Sequence, residues 1–462
     1  MTLDALYTNG QIVTPEGRLG PDAAVGVSDG TIAAIGRRED LPDADEVVDL
    51  DGKMLVPGII DDHVHTRSPG DEHKEDWETA TRAAAAGGIT SLIAMPNTDP
   101  MVSNPDHLQT VYDLADENAL VDFQSYAVVT SENLDQIHAL DEAGVAGYKV
   151  FLGTTFGEIE PPNDGELHEV MGDIAETGKR LGFHEENDAV LSHYEAKFRA
   201  EGKNRPIHHN WSRPVVAEVE AIQRTILFSE DTGCPVHMFH CSSGTGAEHV
   251  LRGKERGVNV TAETCPHYLW FTEEVMNEKG NAARVQPPIR DAAEREKLWS
   301  VGLGEGGIDI IATDHAPHTD EEKHIEDPFH DTWESISGFV GLESQVPAML
   351  TFVDEGRLTL EQWVELHSAR PAKIWGMYPE KGSLKVGTDA DFTVVDLDRE
   401  WTMTRDSLHS RSRTTPFNDE TFTGAVETTV VRGERVFDDG ELLAAPGDGE
   451  RIDVDGTIEA GE

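Results

Sequence analysis

Cysteine is close to absent from this 462-residue chain: Cys234, Cys241 and Cys265 are its only three. An odd count with no CxxC spacing points to neither a disulfide framework nor a thiolate zinc site. Each thiol is expected to be a small buried apolar residue. Basic residues are scarce too, with 37 Lys and Arg against 88 Asp and Glu and a formal charge of −51. Such a field repels nucleic acid and anionic membranes, so neither is expected as a partner. The acids are spread along the chain and not gathered in a tail, which reads as a uniformly acidic surface. Surfaces of that kind resemble those of proteins in a salt-loaded cytoplasm, where counterions screen self-repulsion. No stretch approaches the ~18 consecutive apolar residues of a membrane span. The opening MTLDALYTNGQIVTPEG has neither a basic n-region nor a long apolar h-region; no cleaved signal peptide is expected, and a cytoplasmic location is. No GxGxxG follows an early strand, which removes the main mark of a doubly wound dinucleotide-binding sheet.

What is present is a long alternation of apolar strands and helical patterns. Residues 1–55 read as short β-pieces (Ile12-Val13, Ala23-Val27, Thr31-Ile35, Val47-Leu50) set apart by Asn9-Gly10, Glu16-Gly17 and Asp29-Gly30. The far end reads alike, through Asp391-Leu397, Thr428-Val431 and Val436-Phe437. Between them lie eight apolar runs: Leu55-Ile60, Thr90-Met95, Phe123-Val129, Val145-Leu152, Leu181-His184, Val236-Cys241, Val258-Ala262 and Ile308-Thr313. Helical spacing fills Lys74-Ala86, Leu167-Arg180, Val215-Ser229 and Ala292-Val301. The expectation is an α/β chain: a (β/α)8 TIM-like barrel over 56–379, with a small β-sandwich domain formed by 1–55 and 380–462.

Polar side chains recur at the C-terminal ends of these strands, the barrel face on which active sites are built. MLVPGIIDDHVH ends in His63 and His65, whose i, i+2 spacing turns both imidazoles to one side, where one metal could take both. A bare HxH is equally compatible with two hydrogen-bonded histidines. Lys149 lies inside GVAGYKVFLG, where an ammonium would be heavily desolvated. It could be ion-paired, face outward, or react as a neutral amine with carbon dioxide to give a carbamate that bridges two metals. His184 in LGFHEEN and His240 in VHMFHCSS close two more strands with ligands suited to zinc. His237 should face away from His240 on a regular strand and stays outside the set. IDIIATDHAPH delivers Asp314, able to bind a metal and accept a proton from water. Together these are the inventory for two bridged metal ions, which lower the pKa of water to ~7 and polarise an amide carbonyl.

These motifs resemble the cyclic amidohydrolases: dihydroorotases, allantoinases, hydantoinases and dihydropyrimidinases. The resemblance runs over almost the whole chain, through PGIIDDHVHTRSPG, AGGITSLIAMPNTDP, GYKVFLG, SRPVVAEVEAI, ETCPHYL, QPPIRD, ATDHAPHTDEEK and KGSLKVGTDADFTVVD. It implies that His63, His65, His184 and His240 are metal ligands, Lys149 the carbamylated bridge between two divalent ions (zinc expected), and Asp314 both ligand and acid/base. It also implies a dimer or tetramer.

HVHTRSPG is similar to the dihydroorotase HxHxRxPG pattern, which makes Arg67 a candidate clamp for a substrate carboxylate, with Asn97 and His318 at its side. Dihydroorotase, interconverting dihydroorotate and N-carbamoyl-aspartate in pyrimidine synthesis, is therefore the leading expectation. HEEN, SRPVVAEVEAI, ETCPHYL and Gln286 resemble allantoinase as much, so the alternative is allantoinase, hydantoinase or dihydropyrimidinase action on a neutral ring. A catalytically silent homologue serving as an assembly partner is the remaining class. The glycine-containing His315–Ser344 segment, with His324 and His330, is expected to cover the site.

Overall fold

Short strands from both ends of the chain pair with one another in the computed structural model, which describes residues 2–155 and 159–454. A seven-stranded sheet runs in the order Glu441–Leu442, Glu434–Asp438, Thr421–Val431, Phe392–Thr402, Met54–Pro57, Gln11–Thr14, Gly17–Arg18. A four-stranded sheet, Thr31–Arg37, Ala23–Ser28, Leu3–Thr8, Ala44–Asp49, packs against it. Tyr7, Ile12, Val25, Ile32, Leu55, Phe392, Val394 and Val430 form the apolar filling between the two, the alternation of inward apolar residues that defines a sandwich. Its inner strand Leu3–Thr8 is absent from the sequence reading, because DALYT carries an acid and no bounding turn on its N-terminal side. The part of the expected terminal segment beyond residue 454 lies outside the described residues.

Eight parallel strands make the barrel: β1 (Ile59–Val64), β2 (Ile89–Ala94), β3 (Asp122–Ser125, resumed at Ala127–Val128), β4 (Tyr148–Phe151), β5 (Leu181–His184), β6 (Val236–Met238), β7 (Val260–Thr264) and β8 (Ile310–Ile311). The two pieces of β3 bond to opposite neighbours, β2 and β4. A parallel bridge between Val64 and His315, with His65 N–H donating to His315 O at 2.8 Å, closes β8 onto β1. The first strand expected over Leu55–Ile60 is in fact divided. Met54–Pro57 belongs to the seven-stranded sheet and β1 starts at Ile59, with Gly58 between them. A Cβ on Gly58 would meet the Thr90 and Asp391 side chains, so the chain crosses from one sheet to the other where only glycine fits.

Crossover helices cover the outside, each with an apolar stripe toward the strands. Trp77–Ala86 begins three residues later than its pattern suggests because Asp76 caps it, accepting from Thr79 N–H. Asp164–Thr177 is capped by Asn163 and stopped by Gly178 at φ 74°. Val215–Thr232 ends at Gly233 in the same left-handed conformation. Inside the barrel, Ile60, Ile93, Tyr126, Phe239, Ile310 and Ala312 pack together, with Trp375, Met377 and Ile452 in the same cluster. Among the described residues no helix is long and apolar enough to cross a membrane.

Candidate active site

A cleft is lined by His63, His65, His184, His240 and Asp314 together with Arg67 and Asn97. Five of the six side chains expected to hold metal thus meet in one wall, although they come from β1, β5, β6 and β8. Three of the residues here, Arg67, His240 and Asp314, have left-handed backbones at φ 60°, 38° and 48°. Non-glycine residues hold that conformation only where surrounding bonds impose it, and such positions concentrate at functional sites. Part of the scaffold is Asp61, which accepts from Thr313 Oγ1 at 2.6 Å and from His63 N–H at 3.1 Å, locking β8 to β1.

The ring nitrogens converge. His63 Nε2 and His65 Nε2 stand 3.4 and 3.6 Å from Asp314 Oδ1, and His184 Nδ1 lies 3.0 Å from His240 Nε2. Donors ~2.0–2.1 Å from a tetrahedral ion are about 3.3 Å from one another, so both spacings fit ligand edges. The remaining nitrogen of three rings is held from behind. His63 Nδ1 lies 2.5 Å from Glu263 Oε1, His65 Nδ1 2.7 Å from Asn97 Oδ1, and His184 Nε2 3.0 Å from Glu186 Oε2. This is the arrangement by which a carboxylate or carbonyl sets the tautomer of a metal-binding imidazole. Burial pushes all four histidines below the usual range, which keeps the rings neutral and their lone pairs available.

Lys149 on β4 does not reach the wall. It is fully buried beneath it, with Nζ 3.8 Å above the Phe239 ring and no hydrogen-bond partner among the described residues. Neither an ion pair nor an outward orientation describes it. Burial brings its pKa down to about 7, against the pull of Glu263 and Asp314. Burial raises Asp314 to about 7, with Lys149 and Arg67 opposing. An orphaned amine among converging imidazoles and a carboxylate fits a divalent-metal centre.

Arg67 donates through Nε to Pro317 O at 3.2 Å and through Nη2 to His318 Nε2 at 3.1 Å. Burial lowers His318 to about 3, with Arg67 adding to the effect, so its ring is a neutral acceptor. His318 does not itself line the cleft and bonds to Arg67, which does. Asn97 lines the cleft with its Oδ1 engaged by His65, which leaves its amide nitrogen as the group it can offer a ligand.

Several residues escaped the sequence reading. The pattern for β7 stops at Ala262, just before Glu263; extending it to the strand end would have included this carboxylate, which is buried beneath the cleft. Glu186 is gripped by Arg213, whose Nε and Nη2 both donate to it, and is held at about 2 despite its burial. His237 does not face away. Strand β6 ends at Met238 and His240 leaves the regular alternation at φ 38°, so His237 packs on Trp375 with its Nε2 3.3 Å from Glu263. In the segment after β8, Gly338 lines the cleft, and Lys323 is buried with Nζ donating to Arg284 O and Ile336 O. His324 and His330 stack on each other at 4.2 Å, away from the cleft wall.

The amidohydrolase family profile matches residues 54–436. An allantoinase of Deinococcus radiodurans is 38% identical over 96% of this chain and 98% of its own length. A dihydroorotase of a Geobacter species is 35% identical over 95% of this chain and all of its own. Among solved structures, the L-hydantoinase (dihydropyrimidinase) from Arthrobacter aurescens superposes with a TM-score of 0.94 at 33% identity, covering 98% of this chain and all of that one. Opening a cyclic amide is the chemistry these names share. The chain belongs to the amidohydrolase family, as a hydrolase of cyclic amides.

Proposed function

We propose that the protein hydrolyses the ring amide of a cyclic ureide, with allantoin as its first substrate and dihydroorotate as the second reading. The convergence of His63, His65 and Asp314 beside His184 and His240, over the orphaned amine of Lys149, carries the hydrolytic reading. His63, His65 and Asp314 would hold one divalent ion and His184 and His240 a second, zinc being the expected metal. Lys149 would bridge them as a carbamate. The neutral amine adds to carbon dioxide, an N–C bond forms, one proton leaves, and a cation that is hard to bury becomes a two-oxygen anion. Divalent ions held by these residues would lower the pKa of water and polarise the ring carbonyl.

Asp314, with Oδ1 toward both histidines of β1, accepts the proton of the attacking water and returns it to the leaving ring nitrogen. Water is thereby added across the C–N bond, giving a carboxylate on one side and an N–H on the other. The assembly is a dimer or tetramer on this reading, which light scattering would check.

Similarity to an allantoinase along the whole chain supports the neutral ring over the dihydroorotase expectation. Buried Arg67 at the cleft wall favours the second reading, because a guanidinium matches a carboxylate and allantoin has none. The deciding experiment assays metal-loaded protein in high salt against allantoin, dihydroorotate, hydantoin and dihydrouracil, with Arg67→Met in parallel. Allantoin is expected to be turned over, with a modest loss in the variant. Preference for dihydroorotate, with Arg67→Met lowering kcat/KM by roughly 10- to 150-fold (a charged hydrogen bond of about 1.5–3 kcal/mol), would establish the second reading. No turnover of any ring would leave the silent homologue.

A further inference from the structure

Glu263, next to last in β7, has a fully buried carboxyl group, and one of its oxygens touches two of the four site histidines. Oε1 lies 2.5 Å from Nδ1 of His63 and accepts from the backbone N–H of His240 at 2.9 Å. His63 belongs to β1 and His240 follows β6, so a single side chain spans the barrel beneath the cleft without lining it.

Each bond has a specific consequence. A neutral imidazole carries one proton; holding it on Nδ1 of His63 leaves the lone pair on Nε2, the nitrogen 3.4 Å from Asp314. His240 differs from the other three, since its Nδ1 has no partner among the described residues. Its ring is aimed by its left-handed backbone, which is tied to β7 at two points: His240 N–H to Glu263 Oε1, and Cys241 N–H to Glu263 O at 2.8 Å.

We infer that Glu263 is a positioning residue for the metal centre, setting the His63 tautomer and seating the His240 backbone so that both rings present free nitrogens to divalent cations. The inference rests on the metal reading above. Glu263 is well suited to this role because its second oxygen faces His237 Nε2 at 3.3 Å, which fixes the rotation of the carboxylate. Deep burial means that no exchange with solvent loosens the contacts.

Cobalt(II) is the probe, since its visible absorption reports ligand geometry and its affinity is read by competition with a chelator. Glu263→Gln keeps volume and one acceptor oxygen while turning the other carboxyl oxygen into an amide donor. The expected result is a cobalt dissociation constant raised about 10- to 100-fold and an altered visible spectrum, with kcat lowered more than KM. A folded Glu263→Gln protein with wild-type cobalt affinity and spectrum overturns the inference. Should that variant fail to fold, the wild-type protein decides: after 15N-histidine labelling and metal loading, His63 Nδ1–H should appear as a far-downfield proton coupled to its ring nitrogen. Its absence overturns the inference equally. Wild-type protein that binds no cobalt overturns the metal reading together with this one, which separates the two failures.

Discussion

Gly182 on β5 shows how much of the site depends on a single missing carbon. A Cβ there would run into the ring of Phe239, and that ring has no room to retreat. It meets His63 edge-on at 4.8 Å and Tyr126 at 5.5 Å, stacks on Trp375 at 6.0 Å, and has Lys149 Nζ 3.8 Å above it. Gly182→Ala is therefore expected to cost about 1–3 kcal/mol of stability by overpacking and to reduce bound metal, because the displaced ring pushes on His63 and Lys149. Chemical denaturation and metal analysis check this together; wild-type values in both would mean that the ring can move after all. At this scale the sequence was most informative for residues whose type is costly in an apolar strand. Lys149 and the His63–His65 pair stood out for that reason. Glu263 did not, since an acid at the edge of an apolar pattern reads as the first residue of an exposed loop.

Among the elements, the strands supply positions and the segments after them supply direction. Arg67 and Asp314 follow β1 and β8 in left-handed conformations, and His315 closes the barrel through its backbone while its ring Nε2 lies 3.4 Å from Glu75. The segment 404–412 is fastened to the helix Leu342–Asp354 by His409, whose N–H and Nδ1 reach Glu343 at 2.6 and 2.8 Å. The hydrogen bond to Glu343 raises the His409 pKa above 6.5, with partial burial opposing it. A raised folded-state pKa stabilises below the unfolded value and loses its effect as pH rises through the folded one. Wild type should thus be more stable than His409→Gln at about pH 6 and the two should converge at alkaline pH, above the raised value. Thermal melts across that range would show it, and a pH-independent gap would assign the contact to packing. The helical patterns were legible along their apolar stripes, but their starts were not, since Asp76 and Asn163 act as caps only once the preceding backbone is extended.

For the molecule as a whole, a net charge of −51 on one chain is a standing repulsion that grows as salt is removed. The Debye length shrinks from about 10 Å at 0.1 M salt to about 3 Å at 1 M. The melting temperature is expected to rise by several degrees over that interval, and a salt-independent value would mean that the surface ion pairs already balance the field. Metal-depleted protein should show the same slope, because the buried site is screened from bulk ions.

Sequence alone determined the fold class, the strand–helix alternation and the identity of the candidate ligands, because burial pattern and residue type are local properties. It also supplied the expectation that the two termini form one β-domain, although only three-dimensional pairing shows Phe392–Val395 bonded to Met54–Pro57. Tertiary structure alone decided which nitrogen of each histidine faces the cleft, that Asn97 and Glu186 stand behind rings, that His237 turns inward, and that Lys149 has no hydrogen-bond partner among the described residues. These depend on residues from distant strands meeting at hydrogen-bonding distance, and no spacing along one strand encodes the direction from which another arrives.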